Sequence, residues 1–217
     1  MWTETDRRLG MSSAASVAAI GLLYVLTGAL GVAMRPAGLA PLAQVDPYLA
    51  VLEILIMLVA VALVVLSAAI LAYARPETRT CARASFAFML AFAVLTLATH
   101  FVSLALGRRL AVSHPALAAQ LGVGWPSVSL ALDLLAWDLL LGLALLFLAP
   151  VFGGDRRAIR VRRTAFAAGT LCLTGTIAPL TGAMEIQLVA VAGYAFVLPV
   201  LCAMIARLFA RETVSSG

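Results

Sequence analysis

Five residues of this chain pair reactive side chains with an apolar setting: Glu53, His100, Asp133, Trp137 and Asp138. Asp133, Trp137 and Asp138 lie within residues 126–152, PSVSLALDLLAWDLLLGLALLFLAPVF, which is otherwise apolar enough to cross a bilayer. An acid at the centre of a membrane helix costs roughly 2.5–3.5 kcal/mol on insertion scales, so intramembrane acids are paired, hydrated or neutral and mark function by default. Carboxyl and imidazole groups held in one apolar site offer acid–base chemistry or proton-linked binding. Each residue also has a bland reading. Glu53 near an interface can snorkel to water, and His100 can hydrogen-bond a backbone carbonyl.

The elements that must position these groups are membrane helices. The chain of 217 residues is 64% hydrophobic and 12% charged, about half the charge of an ordinary soluble domain, where roughly 25% is usual. Its apolar residues fall in six runs, at 12–34, 48–74, 84–106, 126–152, 164–183 and 186–210, each near the ~20 residues that a helix needs to span hydrocarbon. The expected fold is all-α: a polytopic membrane protein with six transmembrane helices in one bundle, forming a single domain over 1–217. A short polar leader, MWTETDRRLG, precedes the first run. That run is too long for a signal-peptide core and is expected to be retained. A Pro-rich loop, RPAGLAPLAQVDP, leads to the second run. The longest loop, 107–125, contains SHPALAAQL, which suits a short interfacial helix because Pro is favoured in a first helical turn.

Six spans put both termini on one side, and arginine decides which. Arg7, Arg8, Arg75, Arg79 and Arg83, the cluster from Arg156 to Arg163, and Arg207 and Arg211 make twelve on the terminal side, against Arg35, Arg108 and Arg109 on the other. The positive-inside rule then places both termini in the cytoplasm of a bacterial inner membrane.

At 1.5 Å of rise per residue, Glu53, His100 and Asp133 lie at roughly 8, 9 and 11 Å from the outer ends of their spans, and Asp138 at roughly 18 Å. Glu53, His100 and Asp133 are therefore expected to surround one cavity in the outer half of the bundle. Asp133 and Trp137, four apart, share a helix face. Asp138 is turned about 140° from Asp133 on a regular helix, so one acid lines the cavity and the other bonds a neighbouring helix. Thr96, His100 and Ser103 form a polar stripe, and Pro179 is expected to kink the fifth span.

Counting narrows the chemistry. All fifteen basic residues are arginine, so no lysine Schiff base can form. Two histidines, His100 and His114, are too few for a membrane haem or di-iron site. Cys81, Cys172 and Cys202 are isolated and read as packing residues. No GxSxG, HExxH or Walker pattern occurs. No cofactor and no metal are expected. The basic residues flank apolar runs and read as topology signals, so nucleic acid is not an expected partner.

The segment ALDLLAWDLLLGLALLFLAPVF, followed by a basic loop and then GTLCLTG, resembles a group of small bacterial integral membrane proteins of unknown function. That resemblance implies a six-helix topology and no activity. The leading expectation is a protein that binds or moves a small or lipid-soluble molecule, with protonation of the acids as coupling. A second is a membrane-embedded isomerase or cyclase of a sterol- or isoprenoid-like lipid. There Asp138 or Asp133 donates a proton, Glu53 or His100 accepts it, and Trp137 with Phe86, Phe88, Phe92 and Phe101 faces a carbocation. A third is a structural subunit that meets a membrane partner or a second copy of itself.

Overall fold

The computed structural model describes residues 2–36 and 46–212. Most of the Pro-rich loop, residues 37–45, lies outside them. Among the described residues six helices are long and apolar enough to cross a membrane: α1 (Glu4–Ala33), α2 (Tyr48–Tyr73), α3 (Pro76–Ser113), α4 (Val128–Val151), α5 (Arg156–Thr181) and α6 (Met184–Phe209). No strand occurs among the described residues. The all-α, six-helix expectation is therefore met.

Three helices extend past the apolar runs, each for a local reason. The polar leader is helical because Thr3 and Asp6 cap each other: the Asp6 N–H donates to Thr3 Oγ1 at 3.2 Å, and the Thr3 N–H donates to the Asp6 carboxylate at 2.9 Å. Glu4 then holds Arg7 and Arg8 along the first turns of α1. The arginine-rich segment before residue 164 is the opening of α5. Asp155 caps it, accepting from the N–H groups of Arg157 and Ala158 at 3.1 and 2.8 Å. α3 runs past Gly107 through a π-helical stretch, Ser103–Gly107, and stops at Ser113. A short helix, Pro115–Gln120, follows within the segment expected to form one.

Consecutive helices pack side by side, and α6 returns to α1, closing a ring. At the terminal end the ring is sealed by aromatics. Trp2, Tyr73 and Phe209 meet with centroids 5.0–5.2 Å apart, and Phe152 lies 6.1 Å from Tyr73. The Tyr73 hydroxyl donates to Glu212 at 3.0 Å. Inward of this seal the core is aliphatic, with Leu63, Ile70, Met89, Leu145, Leu201 and Ile205 fully buried. The outer surface carries Leu22, Leu30, Val94, Phe166 and Val200 in the open, as a lipid-contact surface requires. At the end of the bundle away from the termini, Arg108 pairs with Asp46 at 2.6 Å.

Candidate functional site

The buried carboxyl and imidazole side chains, Glu53, His100 and Asp138, lie in the half of the bundle away from the termini. They divide into three arrangements rather than the single cavity expected. Glu53 on α2 is 2% exposed and accepts a hydrogen bond from the Ser103 hydroxyl on α3. His100, one turn earlier on α3, places Nε2 3.1 Å from Asp133 Oδ1 on α4. Its Nδ1 is buried and has no hydrogen-bond partner among the described residues. Asp138, fully buried, accepts from Gln187 Nε2 on α6 at 3.1 Å. The common level of Glu53, His100 and Asp133 is thus reached through Ser103 and His100 on α3. Of the three, Asp133 lines the cavity between α1, α2, α4 and α6.

That cavity lies between α1, α2, α4 and α6, with about 100 Å³ open to the centres of water-sized molecules. A site needs only ~10–15 Å³ on this measure to hold one water, so several waters or a small organic group fit. Asp133 and Trp137 form its α4 wall, as their four-residue spacing requires. Tyr24 on α1 and Tyr194 on α6 face them, and Ile56 and Val59 supply the aliphatic side. The Trp137 ring is held edge-on by Phe92 at 4.9 Å and tilted against Tyr194 at 5.2 Å. Pro199 closes the gap beside Gly21, where even a Cβ would come within 2.6 Å of the proline ring. Toward the termini the cavity meets Leu198, which belongs to the aliphatic core.

Asp138 does not line this cavity; it faces α5 and α6. Room for its carboxyl comes from Gly175. A Cβ there would lie 2.6 Å from the Asp138 carboxyl carbon and 2.5 Å from the Ala190 Cβ. The approach is tied to the break in α5. Pro179 has no N–H to offer the Gly175 carbonyl, and the first helical run of α5 ends at Gly175 before resuming at Ile177. The helical run is interrupted at Thr176, one turn before Pro179, and beside that interruption lies the slot that holds the acid.

Among the described residues three stretches are π-helical, Ser103–Gly107, Leu135–Leu140 and Ala192–Val197. Each carries part of this layer: Ser103, then Trp137 and Asp138, then Tyr194. A π turn closes on the fifth residue instead of the fourth and is frequent at functional sites. It also re-aims every side chain it contains relative to a uniform 100° wheel. Tyr24, Gln187 and Tyr194 were not among the residues singled out from sequence. Gln187 carried a signal, since it is an amide one turn into an apolar run. The tyrosines carried none beyond their type.

Compared with protein-family models, with curated proteins and with solved structures, the chain matches none of them. The resemblance drawn from α4 to α6 therefore brings no relatives with it, and the chain stands as an all-α protein with six helices fit to span a membrane.

Proposed function

We propose that this chain is a bacterial inner-membrane protein that binds a small or lipid-soluble molecule in the cavity between α1, α2, α4 and α6. The cavity carries the reading: one carboxylate, three aromatic rings and aliphatic walls converge on a space large enough for an organic group. The arginine asymmetry supports cytoplasmic termini, which puts the cavity in the outer half of the bundle. Proton exchange at the Asp133–His100 pair is the proposed coupling, because that pair alone joins the cavity to a buried imidazole. Movement of the ligand across the bundle requires a second arrangement, since the void lined by Leu63, Leu145 and Leu201 on the way to the termini measures about 10 Å³. The isomerase or cyclase reading keeps Asp133 as its only acid at the cavity, with Asp138 turned toward α5 and α6.

Native mass spectrometry of the protein released from a mild detergent tests the reading. The wild type should carry a small-molecule adduct, and Ala195→Phe, which fills the cavity from α6, should lose it without loss of folding. An adduct that persists in Ala195→Phe overturns the proposal.

A further inference from the structure

Resting on that reading of the cavity, we infer that the group recognised there is an organic cation, a quaternary or tertiary ammonium held against the ring faces of Tyr24, Trp137 and Tyr194 with Asp133 as its counter-charge. Aromatic faces carry negative quadrupole density and attract ammonium groups within about 6 Å of their centroids. Three such rings on three helices line one small space. Phe92 and Tyr194 fix the Trp137 indole from two sides. Its Nε1 is buried with no hydrogen-bond partner among the described residues, so the indole presents carbon surface to the cavity rather than a hydrogen-bond donor.

The acid selects the sign of the ligand. Asp133 gives one oxygen to His100 Nε2, and no arginine pairs with it among the described residues. His100 is 3% exposed, and a second ring proton on its Nδ1 would meet no acceptor. The geometry therefore suits a hydrogen on Nε2, directed at the carboxylate. A carboxylate in a low-dielectric cavity repels anions and attracts cations more strongly than it would in water. A hydrated metal ion fits the donors poorly. Among the described residues no three His, Cys, Asp or Glu side chains gather, and a hard cation wants six or more oxygens. An ammonium carrying alkyl groups satisfies both the rings and the acid.

The test is ligand binding to the full chain in dodecyl maltoside, which has no choline headgroup. The probes are choline, benzyltrimethylammonium and 3,3-dimethylbutan-1-ol, the uncharged carbon isostere of choline. Choline should bind at least about tenfold more tightly than its isostere, the scale expected of a desolvated cation–π cage. Asp133→Asn, which keeps an acceptor for His100, should remove that preference. Tyr194→Phe should retain it and Tyr194→Leu should lose it, which separates a ring face from mere packing.

Equal binding of the isostere, retention of the preference in Asp133→Asn, or no saturable binding of either ammonium would overturn the cation assignment. An adduct lost in Ala195→Phe would in any of those cases leave the cavity as a site for a neutral molecule. Absence of ammonium binding together with an adduct indifferent to Ala195→Phe would sink both readings.

Discussion

The carboxyl of Asp138 rests directly on the backbone of Gly175, so close that a single methyl on the glycine would collide with the carboxyl carbon at 2.6 Å. Two helices approach here at a point where one carries an acid and the other nothing at all. Gly175→Ala should therefore act as an overpacked core substitution, costing about 1–3 kcal/mol. The new methyl also meets Ala190, so it has no soft direction in which to relax. Thermal denaturation in detergent should show a clear drop in midpoint. Gly124→Ala, at a position where a Cβ meets nothing within 4 Å, serves as the control. Equal midpoints for the two variants would mean that α4 and α5 are not packed as described.

Asp138 and Gln187 should behave as a coupled pair. The Gln187 amide donates to Oδ1, while Oδ2 and Gln187 Oε1 are buried with no hydrogen-bond partners among the described residues. Removing one member strands the other, and a buried unsatisfied group costs about 1–3 kcal/mol. Replacing both by leucine removes the polar groups together, so Asp138→Leu/Gln187→Leu should be less destabilised than the sum of the singles by about 1 kcal/mol. Asp138→Asn keeps the acceptor and should fold and express like the wild type. Additive single effects, read from denaturation midpoints, would show that the two side chains do not interact.

Much of this architecture was legible in the residue pattern, because a bilayer forces backbone groups into long helices and the chain has six runs to supply them. The pairing of His100 with Asp133 was foreshadowed by their common depth, and the shared face of Asp133 and Trp137 by their spacing. The partners of Asp138 and Glu53 were not foreseen. A helical wheel turns uniformly, whereas α3, α4 and α6 each contain a π turn in the polar layer. Those turns arise from packing between helices, and a single run of apolar residues gives no sign of them. Helix starts were misjudged for a different reason. Hydropathy sees only apolar residues, while the caps at Thr3 and Asp155 are polar and extend α1 and α5 through charged turns.

Ser103 should prove to be the residue that makes Glu53 tolerable. Its hydroxyl is the hydrogen-bond partner of a carboxyl only 2% exposed. Ser103→Ala should destabilise the protein by about 1–3 kcal/mol, and Glu53→Gln in the same background should recover part of the loss, since an amide is cheaper to bury than an acid. Ser103→Thr should be milder than Ser103→Ala because the hydroxyl is retained. If Ser103→Ala melts with the wild type, Glu53 is hydrated by some other route and its buried position needs another explanation.

The arginine distribution yields a prediction about orientation that the helix packing alone does not. Gly154 lies between α4 and α5 at the terminal end, while His114 follows α3 at the opposite end. Any six-helix arrangement puts these two positions on opposite sides of the membrane, so a pair of reporter fusions reads the orientation and checks itself. Each basic residue near a helix end biases that end toward the cytoplasm, and the bias counts over short loops. The loop at Gly154 leads into Arg156, Arg157, Arg160, Arg162 and Arg163, whereas the His114 side offers Arg108 and Arg109 nearby. Of those two, Arg108 is engaged with Asp46. A cytoplasm-active reporter fused at Gly154 should therefore be active, and one fused at His114 silent, with a periplasm-active reporter giving the reverse. Activity of the cytoplasmic reporter at His114 would invert the assignment and place the aromatic cavity on the cytoplasmic side of the aliphatic core. Activity at both positions would mean that α4 does not cross the membrane, and the six-span topology would fall with it.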